Sequence, residues 1–195
     1  MESNNRLIDP PFFGSVLAGS IPAVQYIIDT IVGTGKVTVN QVKLHLGNPD
    51  DALGAFTALT VEGTGAEGQM ADIEIEIAEK DLHPKYERLR IATTGHYYLA
   101  PDPDDDIISD VYMIYIIKGD FCGMGLPVYH GLNQVFAGGK YVCDADDGLY
   151  CFYVNGDFRD LGHPIGRMMH DFYCTDPEDM LVPVLREAVK CREAP

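Results

Sequence analysis

Between Met70 and Glu79 the chain reads Met-Ala-Asp-Ile-Glu-Ile-Glu-Ile-Ala-Glu, with Asp72, Glu74 and Glu76 at every second position. In an extended strand these three carboxylates share one face, and Ile73, Ile75 and Ile77 share the other. Side chains two apart on a strand lie roughly 7 Å from one another. Two such carboxylates repel by about 0.6 kcal/mol in water and about 2 kcal/mol at an effective dielectric of 20. A row of three therefore needs solvent, cations or basic partners. Two chemistries answer that need, and both stay open on the residues alone. One is a half-buried strand with a wet acidic face. The other is a divalent-metal site, since Mg²⁺ is held through one or two carboxylates plus waters and substrate phosphate.

The remaining chemical groups say less. Lys85, Arg88 and Arg90 form the densest basic cluster in a chain with only 14 Lys and Arg, and they read either as a solvated helix face or as cations opposite the acidic strand. His130, His163 and His170 read as structural, and no Ser-His-Asp grouping follows from spacing. Gly63-Thr64-Gly65 and Gly35-Lys36 lack the rest of a phosphate-binding loop.

The elements that must position these residues follow from pattern. Asp9-Pro10-Pro11 predicts a helix start with Asp9 as cap, running through about Leu17. A second helix carries Val24, Ile27, Ile28, Ile31 and Val32 at helical spacing and ends at Gly33-Thr34-Gly35. Strands are predicted over 36–46 and 54–62, the latter with Phe56, Thr60 and Glu62 on one face, and its glycine-rich loop, 63–68, makes a hairpin with the acidic strand. A helix over 82–99 carries the basic cluster. The nearly all-apolar run 110–118 predicts a central strand covered on both faces. Further strands are predicted at 126–130 and 149–156, with the acidic loop Asp144 to Asp147 between them. A last helix runs from about Pro177 to Cys191, with Asp176 as cap and Met180, Val184, Ala188 and Val189 inward.

Bulk properties bound the reading. The 195 residues suit one α/β domain spanning the whole chain, 1–195, and 46% hydrophobic with 23% charged residues is ordinary for a globular protein. The net charge of −16 repels polyanions unless a basic patch or bound cations intervene, which disfavours nonspecific DNA binding. The first residues lack the apolar stretch of a signal peptide, and no uncharged apolar run approaches a membrane span. Five cysteines without a Cys-x-x-Cys pair suit reduced thiols and carry no zinc signature. The expectation is a cytoplasmic protein with no membrane partner.

Several segments, taken in order, carry a resemblance. They are Leu7-Ile8-Asp9 to Val16, Ile73-Glu74-Ile75-Glu76 after a hairpin, Arg88-Leu89-Arg90, and Gly125 to His130. Tyr153-Val154-Asn155-Gly156, Pro164 to Phe172, and Cys174 to Met180 complete the set. Together they resemble the PD-(D/E)XK nuclease family transposases, also described as recombination-promoting nucleases, over nearly the whole chain. The resemblance implies a restriction-endonuclease-like fold, a mixed β-sheet flanked by helices, and Mg²⁺-dependent cleavage of DNA phosphodiesters. In such sites one strand supplies an Asp and the next supplies Glu-x-Lys or Glu-x-Gln. Two carboxylates then hold Mg²⁺ against the scissile phosphate, while Lys or Gln polarises the attacking water.

Glu74 matches the motif glutamate, Glu76 falls where Gln or Lys is expected, and the Asp position falls on Thr60. The chain thus departs from the pattern twice. A shift of two residues across the hairpin offers Glu62 instead, and a metal set of Glu62, Glu74 and Glu76 with Arg88 or Lys85 as the cation. Three functions follow: a nuclease-fold protein with a degenerate metal site and weak or no cleavage, an active Mg²⁺-dependent endonuclease with rearranged ligands, or an acidic scaffold or inhibitor that binds a protein partner.

Overall fold

A computed structural model describes residues 5–47, 56–80, 109–145 and 148–193. Two helices come first, α1 (Pro10–Leu17) and α2 (Ile21–Ile31), followed by strands β1 (Val37–Leu46), β2 (Thr57–Gly65), β3 (Met70–Glu79) and β4 (Asp110–Lys118). Then come β5 (Val128–Gly131), β6 (Gln134–Ala137), β7 (Lys140–Asp144) and β8 (Leu149–Asn155), and finally α3 (Pro164–Tyr173), a 3₁₀ turn (Pro177–Asp179) and α4 (Pro183–Glu193). Six strands form one mixed sheet in the order β1-β2-β3-β4-β8-β5. β1, β2 and β3 are antiparallel neighbours, β3, β4 and β8 run parallel, and β5 returns antiparallel to β8. β6 and β7 make a separate hairpin.

The four described α-helices share one core with one face of this sheet. Leu59 and Val61 from β2, Ile73, Ile75 and Ile77 from β3, and Ile114 and Ile116 from β4 meet Phe13, Ile27, Ile28, Met168, Phe172 and Leu185 there. Burying each such aliphatic side chain contributes on the order of 1.5–3 kcal/mol. A smaller cluster lies on the opposite face, with Val111, Met113, Tyr115, Tyr129, Cys151 and Tyr153. Tyr115 stacks on Tyr153 with ring centroids 5.7 Å apart, and Phe121 stacks on Tyr153 at 5.1 Å. β4 is buried along its interior, as its uniformly apolar sequence requires.

Three local readings change. Asp9 makes no capping hydrogen bond at α1, because both carboxylate oxygens accept from Arg6 at 3.1 Å. The final helix begins at Pro183: the residues after Asp176 form the short 3₁₀ turn, and the Asp176 carboxylate accepts from the Glu178 N–H at 2.9 Å. Met180 is buried ahead of that helix. An additional helix, α3, fills 164–173, where the sequence reading assigned no element. Its Gly166 lies so close to the Asp160 carbonyl that a Cβ there would stand inside bonding contact.

β1 explains its own broken alternation. A bulge between Val39 and Gln41 shifts the register, so Val37, Val39, Val42 and Leu44 keep one face while Lys43 turns to the other. The α2 residue Gln25 secures this edge: its amide donates to the Val37 carbonyl at 2.9 Å and accepts from the Val39 N–H at 2.8 Å. No single described helix is long and apolar enough to cross a membrane. α1 and α2 together have the length and composition, but the chain bends by 115° between them.

Candidate acidic sheet face

The antiparallel register of β2 and β3 sets Thr60 directly opposite Glu74, Glu62 opposite Asp72, and Ala58 opposite Glu76. The parallel register continues this face onto β4, where Val111, Met113 and Tyr115 stand beside Asp72, Glu74 and Glu76. The four carboxylates thus form a band across two strands, opposite in direction to the isoleucines that fill the main core.

The expectation of a wet acidic face does not hold. Asp72, Glu74 and Glu76 are 6%, 3% and 6% exposed, and β3 is buried along its interior on both faces. Glu74 and Glu76 are engaged in polar contacts within the chain. Burial raises the Asp72 pKa above the ordinary carboxylate range; the nearby Glu62 adds to this, and a hydrogen bond from Ser109 opposes it.

The described cation at this face is Lys43, which faces Thr60 across the β1–β2 ladder. Its Nζ lies 2.5 Å from Glu62 Oε1, and both side chains are about half exposed. Glu62 is therefore held by Lys43 at the band's outer edge. Lys85 and Arg88, expected to supply the cation, lie outside the described residues, as does the helix expected over 82–99. Lys43 was hidden from a sequence reading by the bulge, which reverses the alternation just before it.

A hard cation such as Mg²⁺ requires oxygen ligands converging on one point. Thr60 brings no charge to the position opposite Glu74, Glu62 is spent on Lys43, and among the described residues no three carboxylates of the band converge within 4.8 Å.

A second cluster of chemical groups sits across the core, at the end of α3. Asp171 is fully buried, and its two oxygens accept the backbone N–H groups of Leu181 and Val182, each at 2.7 Å. Those donors lie just ahead of α4, so one carboxylate fastens the start of the last helix to the end of the one before it. His170 Nδ1 lies 3.0 Å from Asp171 Oδ1 and 3.6 Å from Cys174 Sγ. The His170 side chain is 34% exposed. Burial pushes the Cys174 thiol pKa up, and Asp171, Asp179 and Asp176 push it further. The signal in the sequence was the spacing His170-Asp171-x-x-Cys174 on a helical segment.

A third ordered feature follows β4. The Asp120 carboxylate accepts from Tyr129 Oη at 2.6 Å and from the Gly123 and Gly125 N–H groups at 2.9 and 2.7 Å. These bonds, led by Tyr129, hold its pKa below the ordinary range and fold the glycine-rich loop back on β5. The chain matches no protein-family model, no curated protein and no solved structure.

Proposed function

We propose that this chain is a nuclease-fold protein of the PD-(D/E)XK transposase-associated type whose metal site is incomplete, so that it cleaves DNA weakly or not at all. The observation that carries the reading is the pairing of Thr60 with Glu74. In the pattern implied by the resemblance, the strand before the glutamate strand supplies an Asp, and the neutral hydroxyl of Thr60 stands at that position here. Glu76 compounds the loss, because it brings a second acid to the place of a Lys or Gln that would help polarise water. A mixed sheet with adjacent antiparallel β2 and β3 is the arrangement such a site needs. The net charge of −16 further weakens attraction to a phosphate backbone.

Supercoiled plasmid incubated with the purified chain and Mg²⁺ or Mn²⁺ tests the reading. The expected result is no nicking above the level seen in EDTA. Metal-dependent nicking that Glu74→Ala abolishes would establish an active endonuclease with rearranged ligands and overturn it.

A further inference from the structure

Cys174, His170 and Asp171 meet in a way that a catalytic relay does not explain. In a thiol–imidazole–carboxylate relay the ring uses one nitrogen for the nucleophile and the other for the carboxylate. Here a single nitrogen, His170 Nδ1, faces both Asp171 Oδ1 at 3.0 Å and Cys174 Sγ at 3.6 Å. One ring proton can serve only one of them well. Three donor groups of different type thus cluster, with one ligand atom from each within 4.8 Å of the other two. That is the arrangement a cation completes.

We infer that His170 Nδ1, Asp171 Oδ1 and Cys174 Sγ form a binding site for a divalent transition-metal ion of borderline softness, with Zn²⁺ the natural occupant. The donor set decides the class: a thiolate excludes Mg²⁺ and Ca²⁺ as preferred ions, while one imidazole and one carboxylate beside it suit Zn²⁺. Around tetrahedral zinc, bonds of about 2.0–2.1 Å to nitrogen or oxygen and 2.3 Å to sulfur put the ligand atoms about 3.3 Å apart for the N–O edge and 3.6 Å for the N–S edge. The observed edges are 3.0 and 3.6 Å. The third edge is no longer than 4.8 Å.

The surroundings fit this assignment. Asp171 keeps its hydrogen bonds from Leu181 and Val182, which would orient the carboxylate as outer partners orient metal ligands generally. The His170 side chain, about a third exposed at 34%, gives the site an edge open to solvent. On binding, the Cys174 S–H bond breaks, its proton leaves to solvent, and the sulfur lone pair forms the metal–sulfur bond. No electron changes hands. The site lies on the helical side of the sheet, away from the acidic face, so it stands whether or not the nuclease reading does.

The full chain, stripped of metal and kept reduced with a phosphine, is titrated with Co²⁺. The expected result is one equivalent bound, with a thiolate-to-cobalt charge-transfer band in the near ultraviolet and the intense visible bands of a four-coordinate ion, bleached by Zn²⁺. Cys174→Ser and His170→Gln, checked for folding by circular dichroism, abolish the charge-transfer band or weaken Co²⁺ binding at least tenfold; Cys122→Ser and Cys191→Ser leave both unchanged. Mass-spectrometric alkylation of the unmutated chain provides a test free of folding effects, and Zn²⁺ is expected to slow labelling of Cys174 at least tenfold. Absence of a thiolate band in the unmutated chain, survival of that band in folded Cys174→Ser, or equal labelling with and without Zn²⁺ would each overturn the assignment.

Discussion

The two faces of the central sheet treat buried carboxylates in opposite ways. On the β2–β3 face, Asp72, Glu74 and Glu76 are buried side by side in a row, and burial together with the nearby Glu62 raises the pKa of Asp72. Across the core, Asp171 is also buried, but its oxygens accept two backbone N–H groups and face an imidazole. The same functional group resists ionisation at Asp72 and acts as a structural fastener at Asp171. What separates them is placement, since burial is similar in both: three acids follow one another along β3, while Asp171 is turned toward two backbone N–H groups at the start of α4.

The largest effect should come from removing the fastener. Asp171→Ala leaves the buried Val182 N–H and the part-buried Leu181 N–H without an acceptor, at roughly 1–3 kcal/mol for each one kept from water. Urea denaturation should show a loss on the order of 2–5 kcal/mol, and a loss under 1 kcal/mol would remove the contrast between the regions. A comparable cost belongs to the apolar side of the acidic strand: Ile75→Ala deletes a fully buried side chain and should cost about 2–5 kcal/mol.

Asp72→Asn should act in the reverse direction and depend on pH. The folded-state pKa of Asp72 is raised, so the native state holds this proton more tightly than the unfolded chain. Its stabilising contribution is complete below the ordinary carboxylate pKa and is lost as pH rises through the raised value. The substitution should therefore raise the melting temperature at neutral pH and leave it unchanged in strong acid. An equal shift at both pH values would show that the charge is irrelevant. The smallest effect is expected at Lys43→Ala, where a half-exposed ion pair contributes about 0–1 kcal/mol, shrinking further in high salt.

How much of this was legible depends on the length scale. Period-two alternation marked β3 and divided its carboxylates from its isoleucines, and an unbroken apolar run marked β4 as central, because those patterns follow from strand geometry alone. The burial of the acidic face was not legible. Alternation with charged residues ordinarily means that one face meets solvent, and only the tertiary arrangement reveals the exception. Lys43 was concealed by a one-residue bulge, which no periodicity argument detects. α3 escaped because Pro164, Gly166 and polar His170 and Asp171 dilute its apolar stripe; Gly166 is explained only by the close approach of Asp160. The meeting of His170, Asp171 and Cys174 was half legible in their spacing, while the donors from Leu181 and Val182 arrive across a turn.

The central claim, the proposal that the acidic face lacks a working cation site because Thr60 and Glu76 stand where the resembled pattern has an Asp and a Lys or Gln, is tested most directly by Mn²⁺ calorimetry. To isolate the sheet face, the Cys174→Ser background is used. Weak Mn²⁺ binding is expected there, with at least a tenfold gain when Thr60→Asp and Glu76→Gln are introduced together. No gain, or tight binding before those changes that Glu74→Ala abolishes, would contradict it.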